Sequence, residues 1–246
     1  MRVPRIHVTE TLTADDDLTL TDAPAHYLSR VLRMQPGQSL VLFNGDGQDY
    51  PARITETTKS RVRVRVAQGA PVDTESPLPV TLAQVISRGD RMDYVIQKSV
   101  EMGVTRIQPL TSERCEVKLQ GQREEKRLRH WQQVAVSAAE QCGRAIVPDV
   151  QPLMSLQQWL SQTEHSKLCL VLHHRSSTAL DTLPAPESLT LLVGPEGGLN
   201  DDEIETAEAA GFISTTLGPR VMRTETAPVS ALAVCQWLWG DLNARQ

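Results

Sequence analysis

The residues best placed to do chemistry lie between Leu189 and Leu232, in the stretch LTLLVGPEGGLNDDEIETAEAAGFISTTLGPRVMRTETAPVSAL. Two glycine turns each follow a short apolar run. Leu189 to Val193 has strand length and is stopped by Gly194-Pro195-Glu196-Gly197-Gly198, and Phe212 to Leu217 is stopped by Gly218-Pro219. Arg220 to Thr226 is too polar for a core and carries Arg223 and Glu225 in the run RTETA. A guanidinium and a carboxylate in one polar loop can stabilise an anion and accept a proton. They can equally form a structural pair that anchors the helix beginning near Pro228.

The elements around these residues follow from local signals. Asn200 is a good N-cap, Asp201, Asp202 and Glu203 fill the first turn behind it, and Gly211 ends that helix. Val229 to Leu242 is apolar enough to be a buried last helix. The layout is strand, loop, helix, strand, loop, helix, with both glycine loops at the C-terminal ends of strands, where parallel sheets bind ligands. A phosphate-binding loop wants bare backbone N–H groups and a helix start free of acids. This first loop carries Glu196 and leads into three acids, so a cationic ligand or one rich in hydroxyl and amino donors fits better. S-adenosyl-L-methionine, an adenosine with a positive sulfonium, has these properties. The other reading is a tight connection whose acids merely cap a helix.

The pair LLVGPEGGLNDDEI and LGPRVMRTETAPVSAL closely resembles the two C-terminal signatures of the SPOUT class of methyltransferases. More narrowly, it is similar to the bacterial 16S ribosomal RNA uracil-N3 methyltransferase family. Three further segments carry the likeness in the family's order: RVPRIHV at the N-terminus, IQKSVEMGV from Ile96 to Val104, and AAEQCGR from Ala138 to Arg144. The resemblance implies a trefoil-knotted α/β domain that methylates N3 of a 16S ribosomal RNA uridine from S-adenosyl-L-methionine. It also implies a homodimer acting on 16S ribosomal RNA within the small subunit. The cofactor would sit on loops that follow Leu172, Val193 and Leu217, touching Leu172, Gly194, Pro195, Glu196, Gly197, Leu217, Gly218, Met222, Arg223, Thr224 and Ala227. Arg223 would stabilise the uracil anion or bind RNA, and Glu225 would order the loop or accept the proton. An alternative is a related enzyme acting on another ribosomal or transfer RNA nucleotide, or a non-catalytic RNA-binding protein.

Composition bounds the rest. The chain has 246 residues, 40% hydrophobic and 22% charged, as an ordinary globular protein has. Aromatic content of 4% argues against a stacking platform for single strands. No apolar run approaches a membrane span, and no apolar segment follows the basic start as a leader would require, so a cytoplasmic protein is expected. Cys115, Cys142, Cys169 and Cys235 are scattered, and no metal-ligand spacing occurs, so reduced thiols and no metal site are expected. Net charge is −5, yet residues 151–246 hold 5 Lys/Arg against 11 Asp/Glu, while residues 76–150 hold 11 against 9. The acidity is concentrated in the glycine-loop third. A dinucleotide oxidoreductase would need G-x-G-x-x-G after its first strand, and none is present.

Residues 1–70 read as a small β-rich barrel with one helix, a PUA-like module in family terms, followed by a proline-rich linker at 71–79 and an α/β domain at 80–246. Asp22 is expected to cap a helix through Tyr27, Leu28, Val31 and Leu32, and Asn44-Gly45-Asp46-Gly47 to turn a hairpin. Lys59, Arg61, Arg63 and Arg65 alternate with valines, which predicts one basic face. That face is either a phosphate ridge or a solvated strand edge. With Arg2, Arg5, Arg30 and Arg33, the residues Arg61 and Arg63 are the candidate RNA contacts. Glu140, Gln141 and Arg144 form a second polar group, where Glu140 and Arg144 are helix neighbours.

Overall fold

Valine alternating with arginine gives a strand one dry face and one wet face. The strand β5 (Val62–Val66) has its three valines buried and Arg63 and Arg65 exposed. The computed structural model describes residues 3–162, 165–176 and 178–243, so Arg2 lies outside the described residues. In it β5 belongs to a sheet ordered β1 (Arg5–His7), β3 (Ser39–Phe43), β4 (Gln48–Thr57), β5 and β2 (Asp17–Leu20). A short β6 (Ala70–Pro71) pairs with β4, so pairing extends to the edge of the segment expected to be a bare linker. β1 runs parallel to β3 and the remaining pairs are antiparallel. The core of this unit is built from Ile6, Leu28, Leu40, Leu42, Ile54 and the three valines.

Two expectations for this unit change. The helix that Asp22 was to cap is short, α1 (Asp22–His26), with Thr21 at the cap position. It continues as a π-helical turn over Tyr27–Val31, closed by the Leu32 N–H donating to the Tyr27 carbonyl at 2.9 Å. The wider turn slips the register, so Leu28 enters the core while Val31 and Leu32 face solvent. Residues Ala139–Val147, assigned from the sequence to the second domain, cluster with the unit that ends at Glu75. The cause is a set of polar contacts: the Glu140 carboxylate accepts the His7 N–H at 3.0 Å, Arg5 donates to the Arg144 carbonyl at 3.0 Å, and Arg144 Nε binds Glu75 at 3.0 Å. Burial pushes the Glu140 carboxyl up, against the lowering effect of the His7 N–H and Arg5.

The second unit, Ser76–Ala138 with Pro148–Gln246, holds an all-parallel sheet. Its strands are β7 (Val80–Val85), β8 (Arg106–Thr111), β9 (Asp149–Val150), β10 (Met154–Ser155), β11 (Leu168–Leu172), β12 (Leu189–Val193) and β13 (Ile213–Thr215). The order is β10-β8-β7-β12-β11-β13, with β9 on β8. All five residues of β12 are buried, as a central parallel strand requires. The helices are α2 (Arg91–Glu101), α3 (Gln122–Cys142), α4 (Leu156–Leu160), α5 (Asp201–Ala209) and α6 (Thr226–Trp239). Asn200 caps α5 as expected: its side chain accepts the Glu203 N–H at 2.7 Å, and Glu203 accepts the Asn200 N–H at 3.0 Å. Gly211, at φ +91, lets the chain leave that helix.

The strand order sets the path of the last quarter of the chain. β13 lands beyond β11, and α6 then returns to pack on α2 and β12. The buried Gln236 locks α6 in place: its Oε1 accepts the Ser76 hydroxyl at 2.6 Å and its Nε2 donates to the Met102 carbonyl at 3.0 Å. Gly103 lies directly beneath this amide with φ +78, and a Cβ there would come within 2.9 Å of Gln236 Nε2. Gly103→Ala is therefore expected to destabilise the protein by about 1–3 kcal/mol through the left-handed backbone and the displaced amide. A urea unfolding midpoint equal to that of the unaltered chain would contradict this.

Candidate active site

Leu172, Val193 and Thr215 end three neighbouring parallel strands, so the loops that follow them emerge at one edge of the sheet. These loops enclose a cavity of about 570 Å³. Of the candidates for cofactor contact, Leu172, Gly194, Pro195, Glu196, Gly197, Leu217, Met222, Arg223, Thr224 and Ala227 line it, together with Glu225. Gly218 is not among the lining residues.

A hydroxyl ties the two glycine loops together. Thr224 belongs to the segment read as too polar for a core, yet it is buried. It donates to the Gly194 carbonyl at 2.8 Å and accepts from Gln84 Nε2 at 3.2 Å, with Ser87 Oγ at 3.4 Å. Gln84 is fully buried on β7, where its amide also donates to the Val85 carbonyl at 2.9 Å. A segment can be polar and internal when its polar atoms find partners, and here β7 provides them.

The charge on the first loop differs from the sequence reading. The Glu196 carboxylate accepts the Arg88 N–H at 3.0 Å and pairs with Arg91 Nη1 at 2.7 Å. Burial alone would raise this carboxyl, but the N–H groups of Arg88 and Glu196 and the Arg91 guanidinium outweigh it and hold it below the usual range. Glu196 is thus half of an ion pair, not a bare negative charge that selects a cation. Glu203 is likewise occupied, by the α5 cap and by the Glu113 N–H at 2.9 Å. The glycines also have local reasons. A side chain at Gly194 would meet the Leu199 N–H at 3.0 Å, and one at Gly197 would press on Arg114 at 3.3 Å. Both glycines therefore serve the packing of the loop on its neighbours.

Residues 74–236 match the RNA methyltransferase domain family, and residues 20–67 match the RNA methyltransferase PUA domain. The ribosomal RNA small subunit methyltransferase E of Buchnera aphidicola is 32% identical over 243 residues, covering 98% of this chain and 96% of that protein. The chain belongs to this methyltransferase family. Two solved structures agree in fold. A ribosomal RNA small subunit methyltransferase E from Neisseria gonorrhoeae, bound to S-adenosyl methionine, is 41% identical with a TM-score of 0.93. A methyltransferase from Legionella pneumophila, in complex with the bound cofactor SAM, is 40% identical with a TM-score of 0.95. Each covers 98% of this chain and all of its own. The fold class is the one expected, a SPOUT-type α/β domain with a small PUA-like β domain.

In this methyltransferase Arg223 and Glu225 do not pair with each other. The Glu225 carboxylate faces Arg91 Nε at 3.7 Å. The Arg223 carbonyl accepts the N–H groups of Thr226 and Ala227, each at 2.9 Å, which starts α6. Arg223 makes no ion pair with any described residue and is one of the residues that line the cavity, as are the likewise unpaired Arg114 and Arg220. Arg91 therefore bridges one acid from each loop. It was missed in the sequence, as were Arg88, Arg114 and Gln84. The available signal was the charged turn Arg88-Gly89-Asp90-Arg91 just past β7, at the same ligand-binding edge of the sheet. His173 also lines the cavity, its imidazole held low by burial and then by His174 and Arg175.

The candidate RNA contacts of this methyltransferase divide. Arg30, Arg33 and Arg61 are exposed, and Arg63 is exposed but within 3.8 Å of Glu56. Lys59 and Arg61 precede β5, so the strand itself carries only Arg63 and Arg65, and Arg65 pairs with Asp17 at 2.9 Å. Arg5 is a correction. It is largely buried, paired with Asp49, and stacked over Phe43 at 4.8 Å, so it braces the unit and offers nothing to phosphate.

Two outcomes test the site. Thr224→Val keeps the shape but removes the hydroxyl that donates to the Gly194 carbonyl and accepts from Gln84, a loss of about 1–3 kcal/mol. Hydrogen exchange at Thr226 and Ala227 should then accelerate roughly tenfold or more; unchanged protection would mean that the hydroxyl does not hold the loops together. Glu196 is ionised in the folded chain at lower pH than in the unfolded one. Its contribution is complete above the ordinary glutamate range and is lost as pH falls through the lowered folded value. Glu196→Gln should therefore lower stability at neutral pH and flatten the acid limb of the stability curve, with no change in that limb counting against the ion pair.

Proposed function

We propose that this chain transfers a methyl group from S-adenosyl-L-methionine to N3 of a uridine in 16S ribosomal RNA of the small subunit, in the cytoplasm. The cavity fits such a donor. Its volume lies in the range of small-molecule sites, and Leu172, Val193, Leu199, Leu217 and Met222 offer apolar walls beside the backbone of the glycine turns. Bound there, S-adenosyl-L-methionine supplies an electrophilic methyl carbon on a positively charged sulfur.

The chain's own residues must make an acceptor of uracil, whose N3 is mostly protonated at neutral pH. Arg223 is the residue to stabilise the anion: it lines the cavity with no ion pair among the described residues, in the loop that Thr224 anchors to the first glycine turn. Loss of the N3 proton to solvent leaves a lone pair that bonds the methyl carbon, while the carbon–sulfur pair stays with sulfur. Glu225 faces Arg91 and acts by fixing the loop that presents Arg223. Alignment of donor and acceptor contributes much of the rate. The observation that carries this reading is Arg223, unpaired among the described residues, lining a cavity in a fold that matches over 98% of the chain relatives solved with bound S-adenosyl methionine.

Three further parts of the proposal rest on separate features. Arg30, Arg33, Arg61 and Arg63 on the PUA-like unit contact RNA phosphates. The chain is a homodimer through α6, whose Trp237 is 59% exposed beside the partly exposed Val234. The path from β12 through β13 and back to α6 is the trefoil knot that the family resemblance implies, supported by the return of α6 onto α2 and β12.

Arg223→Ala should reduce kcat by about 10²–10³ while the unfolding midpoint stays put. The site of methylation is to be read by mass mapping of ribosomal RNA from a strain lacking the protein, with and without its restoration. Turnover near normal in the variant, or a methyl group restored elsewhere than N3 of a small-subunit uridine, would overturn the assignment.

A further inference from the structure

A second opening of about 740 Å³ lies against the first, and the two share Arg88, Arg91 and Glu225. The shared residues form a partition. Arg91 is held at 2.7 Å by Glu196 and approached at 3.7 Å by Glu225, so a planar guanidinium stands between the openings with its charge offset by a carboxylate from each loop. The rest of the second opening is Gly89, Asp90, Tyr94 and Thr226.

Tyr94 is the unusual member. It lies three residues beyond Arg91 on α2, close to the same face of the helix. Its neighbours Met92, Val95 and Ile96 are fully buried, whereas Tyr94 is 46% exposed, and its phenol has no partner among the described residues. The opening thus presents an exposed aromatic side chain, the exposed Thr226, and two guanidiniums already paired with acids, Arg91 with Glu196 and Arg88 with Glu116 at 2.6 Å. Asp90 and Glu225 make it a poor host for a phosphate. A flat, uncharged heterocycle with hydrogen-bonding edges matches it. Enzymes that act on a base must take it out of the stack, and the emptied stacking energy is recovered on an aromatic side chain. The low aromatic content that argues against a stacking platform is no obstacle here, because one flipped base needs one ring.

We propose that this groove is the acceptor subsite: a pyrimidine base swung out of the RNA stacks on Tyr94 and reaches the methyl-donor cavity past the Arg91–Glu225 partition. The assignment rests on the function proposed above and adds the place where the substrate base sits. It makes Tyr94 a substrate-binding residue and Arg91 a positioning residue, which fixes the wall between the two ligands.

The test uses the full chain with Tyr94→Ala and Tyr94→Phe, small ribosomal subunits as substrate, and calorimetry for S-adenosyl-L-methionine. Tyr94→Ala should raise KM for the subunit on the order of tenfold, and Tyr94→Phe, which keeps the ring, should restore it. Affinity for S-adenosyl-L-methionine should be the same in all three proteins. As a readout independent of turnover, an RNA fragment with 5-bromouridine at the mapped uridine should photocrosslink to the α2 peptide containing Tyr94. Crosslinking to another peptide, or an unchanged KM in Tyr94→Ala, would overturn the assignment. So would conversion of a dimer to a monomer by Tyr94→Ala, since the groove would then be an interface between copies. Failure of the unaltered chain to bind S-adenosyl-L-methionine would remove the proposed function itself, and the subsite with it.

Discussion

The hydroxyl of Thr224 is the contact on which the site depends. It joins the carbonyl of Gly194, in the first glycine loop, to the amide of Gln84, on a strand from a distant part of the sequence. Together with Arg91, which faces an acid from each loop, it links two turns that lie far apart in the sequence. With it, Arg223 and Glu225 take their positions from β7, a fully paired strand inside the sheet. Buried polar contacts are costly to leave half-made, which is why one small hydroxyl can organise two loops.

Charge is organised by the same rule of completed pairs. The acids that dominate this third of the chain could suggest a negative basin waiting for a cation. Glu196 is instead bound to Arg91 and to the Arg88 N–H, Glu203 is spent on the α5 cap, and Glu225 faces Arg91. Arg114, Arg220 and Arg223 line the cavity without an ion pair among the described residues, so the charge left over there is positive. This inverts the electrostatic argument available from the loop alone, where Glu196 stood without its partner. The family resemblance and the loop positions reach the same place by a different route.

Much of the fold was legible because it is local. Leu189–Val193 forms a strand with the boundaries read from the chain, and Asn200 caps α5 as its type and spacing predict. Short elements defined by long-range pairing were not legible: β2, β9 and β10 exist through their partners, and nothing in Asp149–Val150 announces a strand. The π turn at Tyr27–Val31 was invisible because the apolar spacing suits an α-helix, and only the packed structure selects the wider turn. At the site, the loops could be placed from glycine and strand signals, but Arg88, Arg91 and Gln84 could not, since they arrive from β7 and the turn after it. Arg5 shows the opposite failure. A basic residue in an exposed-looking N-terminal strand is buried because Asp49 and Phe43 receive it.

The path of β13 and α6 has a consequence for how the site is assembled. The wall made by Arg88 and Arg91 follows β7, the first strand of the parallel sheet, whereas the loop bearing Arg223 follows β13, its last. The cavity therefore closes only when the two ends of this fold have met, and a chain whose sheet is half built has no partial site to offer a ligand.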